Sequence, residues 1–334
     1  MNEALKVGLL GCGRAAERLH VPALELSADF DLVAVADLHC ARAKAMAGAV
    51  GSCASFPGAR EMLAQTPLDA IIIATPPTRH LADLELGAEA GLPMLVEKPM
   101  VVKIDDSDRL SLLGQSVPIM VGYNRRHWAP VMAFKEAIGV AGPASLDDCR
   151  MRLITDIDAW APYMTRSDAL DDLATHQIDL AFFLFGRRPG AVSANWLSPT
   201  RLNIQLYLNG GPRVEILSAH EKRFLEDIVV TLGGVEHRLF VGSDRLRPAR
   251  GLRRTALDIG DAIRRRLSRR PYSLRLSYDH QLQRFAAMVR AASTSGPAFH
   301  DAMVVVQVME AARKSAEDGG IEITLRGEMS AADE

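Results

Sequence analysis

The stretch Leu5-Lys6-Val7-Gly8-Leu9-Leu10-Gly11-Cys12-Gly13-Arg14-Ala15-Ala16 decides the fold of this chain. A short apolar run meets two glycines, and beyond them the sequence takes on helical character. The spacing G-x-G-x-x-A predicts a strand, a tight turn and a helix. Gly11 permits the turn, Gly13 lets a ligand approach the backbone, and small Ala16 lets the helix pack closely. A helix N-terminus here offers N–H groups to an anion, so Gly11, Cys12, Gly13, Arg14, Ala15 and Ala16 are read as the pyrophosphate loop of a dinucleotide site. The plainer alternative is a glycine turn in an α/β domain without a nucleotide. The run FDLVAVAD then ends in Asp37, 21 residues beyond Ala16. A carboxylate there can bind both hydroxyls of an adenosine ribose and repels a 2′-phosphate. Leu38 follows where an arginine would favour NADP, so NAD is the expected cofactor; Arg42 nearby keeps NADP as the second choice.

Outward from this loop, residues 1–122 alternate apolar runs with helix-like stretches: a helix from about Ala15 to Ser27, then FDLVAVAD, another helix, DAIIIATPP, a helix and PMLVEKP. The strands are continuous Val/Ile/Leu runs, as a parallel sheet covered on both faces requires. This half is expected to be a doubly wound Rossmann domain. Past IMVGYN a helix is expected over Ala129 to Ile138, then CRMRLITDID, a helix near Asp168 to Phe185, and the strands AVSANWLS, RLNIQLYLN, PRVEILSAH, EDIVVTLGG and VEHRLFVG. Strands in succession imply an antiparallel sheet. In RLNIQLYLN, Leu202, Ile204, Leu206 and Leu208 fall on one face and Asn203, Gln205 and Tyr207 on the other. Asn209-Gly210-Gly211 reads as a hairpin turn. The expected domains are 1–122 and 123–334, with a frayed tail after about 326.

With 334 residues, a formal charge of -2 and 48% hydrophobic residues, the composition is that of a globular chain of about two domains and excludes a disordered one. No apolar run approaches the ~18 residues of a membrane span, and Arg14 cuts short the N-terminal apolar stretch, so neither a span nor a signal peptide is expected. Cys12, Cys40, Cys53 and Cys149 are scattered, which suits reduced cytoplasmic thiols. Near-neutral charge argues against a nucleic-acid partner. The histidines and cysteines show no ligand spacing, so no metal is expected, and the absence of G-x-S-x-G and P-loop patterns argues against a serine esterase or a common nucleotide hydrolase.

Four further segments combine with the glycine loop: Ala74-Thr75-Pro76-Pro77 with His80, Glu97-Lys98-Pro99, Gly122-Tyr123-Asn124-Arg125-Arg126, and Asp172-Leu173-Ala174-Thr175-His176-Gln177-Ile178-Asp179. In this order and spacing the chain resembles the glucose-fructose oxidoreductase/inositol dehydrogenase/rhizopine catabolism (Gfo/Idh/MocA) family, with Ala174 in place of the usual glycine. The resemblance implies a Rossmann domain followed by an α/β domain with an open, mostly antiparallel sheet. It also implies NAD(P)-dependent hydride transfer to or from a secondary alcohol or ketone of a cyclic polyol, sugar or sugar derivative, in a homodimer or homotetramer. By the same resemblance Lys98 lies between nicotinamide and substrate with a cis bond to Pro99, Thr75, Pro76 and Pro77 line the nicotinamide, and Asn124 and Arg125 face the cofactor cleft. The expected cofactor shell also takes in His80, alternatively a helix-cap residue, and Glu97. Arg126 is expected in a structural ion pair.

The chemistry of these residues can be stated without the family. Asp172 and His176 are four apart and share one face of a regular helix. Histidine titrates near neutrality and suits a base for the alcohol proton. Asp172 can orient it, bind a substrate hydroxyl, or simply complement the helix dipole. Lys98 ends a predicted parallel strand, where an ammonium can hold the reacting oxygen or pair with Glu97. The expected substrate shell adds Tyr123, Trp160 and Tyr163, aromatics that suit sugar C–H faces or a core, and Arg166, which can meet an anionic group or pair with Asp168. From Arg245 to Arg275 there are 11 arginines against two aspartates. That stretch reads as a solvated or subunit-contact segment, with a sugar-nucleotide pyrophosphate or an anionic lipid surface as alternatives. Two competing functions remain at this level: a glycoside hydrolase that oxidises C3 transiently with bound NAD, and a cofactor-binding regulator without turnover.

Overall fold

The computed structural model describes residues 3–103, 107–140, 146–156, 168–243, 272–293 and 297–325. The chain divides into two compact units, Met1–Trp128 with Arg247–Met303, and Ala129–Leu246 with Val304–Glu334. The last division falls inside helix Pro297–Glu317.

The first unit is built on six parallel strands: β1 (Leu5–Leu10), β2 (Phe30–Ala36), β3 (Ala54–Phe56), β4 (Ala70–Ile73), β5 (Met94–Val96) and β6 (Ile119–Val121). Their order is β3-β2-β1-β4-β5-β6. β4 and β5 are buried at every residue, the consequence of helices on both faces, and this is the expected doubly wound Rossmann arrangement. The order reverses between β1 and β4, the crevice where such sheets bind ligands. The helix expected from Ala15 is shorter and less regular than anticipated. It begins as a π turn, Ala16–His20, and continues as one α turn, Val21–Leu24.

Helix Tyr272–Arg290 returns to this first unit. Its Tyr278, Leu282, Phe285 and Ala286 join the cluster of Val7, Leu9, Phe30 and Val35, and Phe285 stacks on Phe30 with ring centroids 5.6 Å apart. Arg290 Nη1 donates to Asp29 Oδ1 at 2.6 Å and fastens its far end. A reading by chain order assigns everything past residue 122 to a second domain; the apolar face of this helix instead completes the first core.

The second unit carries β7 (Leu146–Thr155), β8 (Pro189–Ser198), β9 (Arg201–Leu208), β10 (Arg213–His220), β11 (Leu225–Leu232), β12 (Val235–Ser243) and β13 (Ile323–Thr324), in the order β12-β11-β7-β10-β9-β8-β13. All its pairs are antiparallel except β7 with β10. In β9 burial alternates as the sequence pattern predicts, with Leu202, Ile204, Leu206 and Leu208 inside. Gly210 turns the β9–β10 hairpin at φ +62. Helix Thr175–Phe185 packs on β7 and β10 and is buried along most of its length; Ser218 Oγ of β10 donates to its Gln177 Oε1 at 2.6 Å. The other sheet face is charged: Arg152 reaches Asp227 with two donors at 2.8 and 2.5 Å, and Arg238 joins the same carboxylate. Among the described residues no helix is long and apolar enough to cross a membrane.

Candidate functional site

The glycine loop sits where β1 and β4 part. Gly11 adopts φ +91, and a Cβ on it would lie 2.6 Å from Ala74 O and 2.7 Å from Thr75 N. Its N–H bonds to Ala36 O at 2.8 Å, so the ends of β1, β2 and β4 converge on one residue that has to be glycine. Gly13 is the opposite case: an added Cβ meets nothing within 4 Å. The first helical turn starts there, with the Glu17 N–H on Gly13 O at 3.0 Å, and Ala16 is fully buried.

Asp37 is fixed across this loop. Its Oδ2 accepts the Cys12 N–H at 2.8 Å and its Oδ1 the His39 N–H at 2.7 Å, while Arg42 Nη1 stands 3.9 Å from Oδ2. Cys12 turns both its amide and its thiol toward protein, with Sγ on Ala36 O at 3.8 Å. Burial, aided by the Asp37 charge, pushes that thiol up to about 12, so it stays protonated. A constrained Gly11, an open Gly13 and an anchored carboxylate fit an adenine dinucleotide: the space beside Gly13 is what a pyrophosphate needs, and Asp37 keeps lone pairs for ribose hydroxyls.

The exits of β4 and β5 are tied together by buried side chains. His80 is fully buried, with Nδ1 2.9 Å from Pro99 O and Nε2 2.8 Å from Thr75 O. Burial holds its pKa below the ordinary histidine value, against the pull of the two carbonyls and of Glu97 and Asp83. The ring therefore stands between the two loops, against one carbonyl of each. Thr75 Oγ1 donates to Asp83 Oδ2 at 2.6 Å; Pro76 is exposed and Pro77 opens helix Pro77–Glu89, the position proline favours.

Glu97 is also buried. Its Oε1 meets His20 Nε2 at 2.8 Å, its Oε2 accepts the Lys98 N–H at 3.1 Å, and the Tyr278 phenol is hydrogen-bonded to it. Burial pushes this carboxyl up, but His20 and Lys98 outweigh burial and hold it below the usual carboxylate range. Glu97 faces inward and holds the backbone of Lys98, whose bond to Pro99 is cis. Tyr123 is 2% exposed, and Asn124 is 1% exposed and donates to Ser277 Oγ at 2.7 Å. Arg125 is half-buried, and Arg126 pairs with Asp301 at 2.9 Å.

In the second unit Asp172 lies in a π turn, Leu170–Ala174, in which the Thr175 N–H reaches back five residues to Leu170 O. The four-residue spacing to His176 is therefore not that of a regular α-helix. His176, in the first turn of helix Thr175–Phe185, is 8% exposed. Arg313 secures the start of the turn, donating to Asp168 Oδ2 at 3.0 Å and Asp171 Oδ1 at 2.6 Å. Asp168, one of the two alternatives for Arg166 in the sequence, accepts from Arg313. Trp160, Tyr163 and Arg166 lie outside the described residues, as does the arginine-rich stretch up to residue 271. A residue not singled out by sequence, His220, brings Nε2 to 3.9 Å from Asp172 Oδ2. His20, Tyr278, Arg313 and His220 carry no spacing signal, apart from the four-residue step from Ala16 to His20 on one buried side. Among the described residues no group of three His, Cys, Asp or Glu is placed to hold a metal ion.

Comparison with known proteins bears on these two units unequally. The family model described as an oxidoreductase family with an NAD-binding Rossmann fold matches residues 5–124. The chain is 36% identical over 199 residues to inositol 2-dehydrogenase of Rhizobium meliloti (strain 1021), covering 57% of this chain and 58% of that one. It is 30% identical over 187 residues to D-apiose dehydrogenase of Paraburkholderia graminis, covering 54% and 50%. The matches thus span little more than half the length of these relatives. The fold is similar, with a TM-score of 0.79 over 98% of this chain and 99% of the other, to the crystal structure of myo-inositol dehydrogenase from Lactobacillus casei in complex with NAD(H) and myo-inositol, at 17% identity.

Proposed function

We propose that this chain, whose residues 5–124 match the model of an oxidoreductase family with an NAD-binding Rossmann fold, is a Gfo/Idh/MocA-type NAD-dependent dehydrogenase of a secondary alcohol on a cyclic polyol or sugar. The observation that carries the reading is the pairing of an open Gly13 with an anchored Asp37 at the sheet's switch point. The dehydrogenase names of the partial relatives support the substrate class.

In this reading Gly11 and Gly13 admit the pyrophosphate and Asp37 takes the adenosine ribose, which favours NAD over NADP. When bound, the nicotinamide supplies the hydride acceptor. The protein's own part is proton handling. Lys98, whose backbone Glu97 holds, steadies the substrate oxygen; His176 takes the hydroxyl proton; Asp172 binds a neighbouring hydroxyl or orients the base.

The test is binding of NAD and NADP to the purified chain, followed by absorbance at the reduced-nicotinamide band with polyols, sugars and sugar nucleotides. We expect tighter binding of NAD and accumulation of reduced cofactor with one substrate class. Lys98→Met should lower kcat about 10²–10³-fold with NAD affinity retained. NAD bound without net reduction across the panel would overturn the dehydrogenase reading in favour of transient oxidation by a hydrolase, or of a regulator.

A further inference from the structure

The last residue of β10 holds an unused pair of ring nitrogens. His220 has a side chain only 5% exposed, and neither Nδ1 nor Nε2 makes a hydrogen bond among the described residues. Buried polar groups are nearly always paired, so an unpaired imidazole asks for a ligand or an ordered solvent molecule. Its backbone is pinned on both sides: the His220 N–H bonds to Thr200 O at 2.9 Å, and the next amide, Glu221 N–H, bonds to Thr155 O at 2.9 Å. Thr155 is the residue opposite His220 in the parallel β7–β10 register, and its Oγ1 is likewise buried and unpaired among the described residues. The end of β10 therefore presents unfilled hydrogen-bonding capacity beside one carboxylate, Asp172.

The 3.9 Å between His220 Nε2 and Asp172 Oδ2 is too long for a direct hydrogen bond. It is the right span for one intervening hydroxyl. An oxygen about 2.8 Å from each atom stands about 2 Å to one side of the line joining them, with an angle of roughly 90° at the oxygen, accepting Nε2–H and donating its own proton to the carboxylate.

We propose that His220 is a specificity-determining residue, which together with Asp172 brackets one ring hydroxyl of the substrate. The inference rests on the reading of Asp172 as a substrate-facing carboxylate and adds a recognition group to it. A site built to hydrogen-bond a hydroxyl discriminates strongly against the analogue that lacks it, because the protein groups are then left unpaired.

The experiment uses the full chain with NAD, myo-inositol, each monodeoxy analogue of it, and a panel of aldoses and sugar nucleotides with their deoxy forms. Wild type is compared with His220→Leu, which removes the donor, and His220→Gln, which keeps one near Nε2. For the substrate turned over, His220→Leu is expected to lower kcat/KM about 10²-fold. For the one deoxy analogue lacking the bracketed hydroxyl it should change little, and His220→Gln should recover most of the loss. NAD affinity should be unchanged and Tm unchanged or raised, since an unpaired buried ring has been replaced by an apolar one. Equal losses on every analogue, or no loss at all, would overturn the inference alone. A wild-type chain that binds NAD but reduces it with no member of the panel would overturn the dehydrogenase reading and this inference with it.

Discussion

Two glycines one residue apart do different work, and substitution separates them. Gly11 is required by the fold, since its positive φ and the backbone 2.6 Å from a would-be Cβ leave no room for a side chain. Gly11→Ala should cost more than about 2 kcal/mol of stability. Gly13 faces open space, so Gly13→Ala should leave stability within about 0.5 kcal/mol and weaken NAD at least ~10-fold. Denaturant titration beside nucleotide titration reads both; a Gly13 variant that binds NAD normally would remove the pyrophosphate assignment. The motif was legible in sequence because each glycine answers a local backbone demand. The inward orientation of Glu97 and His80 was not, since a pattern of residue types does not say which side of a loop a side chain takes.

At the scale of elements, the two segments on which the proposed chemistry depends both begin as π turns, Ala16–His20 and Leu170–Ala174, a geometry common at functional sites. Helical periodicity in the sequence predicted plain α-helices at both places, because an extra residue in a turn leaves no mark on residue type. The short 3₁₀ segment Asn124–His127 shows a second limit. It is held under helix Tyr272–Arg290 by Asn124 on Ser277 and by His280 Nδ1, 3.0 Å from His127 O. Burial, then the charges of Arg126, Arg284 and His280, push the His127 pKa down to about 4. A histidine depressed in the folded state contributes stability that is present above its unfolded value of about 6.5 and lost as pH falls toward the folded value, here up to about 3 kcal/mol. Urea unfolding at pH 7 and pH 4.5 should show that loss, and His127→Gln should flatten it. An unchanged acid limb in the variant would mean that this histidine titrates alike in the folded and unfolded states.

On the scale of the whole molecule, the first compact unit is closed by a helix that lies more than 140 residues downstream of Trp128. Phe285, fully buried and stacked on Phe30, is the test of that closure. Phe285→Ala should lower the unfolding free energy by about 3–5 kcal/mol and bring down the temperature at which NAD binding is lost. A loss under about 1 kcal/mol would mean that the helix is an accessory to the core and not part of it.

By itself the sequence determined the strand–turn–helix of the nucleotide loop, the parallel and mostly antiparallel character of the two sheets, and the alternation of β9. All of these follow from backbone preference and from apolar periodicity over a few residues. Only the tertiary structure decided that Glu97 is held by His20 and Tyr278, that Arg313 secures the turn carrying Asp172, that His220 faces that same carboxylate, and that helix Tyr272–Arg290 belongs to the first core. Those contacts join residues dozens to hundreds of positions apart. They arise from packing and from the need to pair buried charge, for which a linear pattern of residue types carries no register.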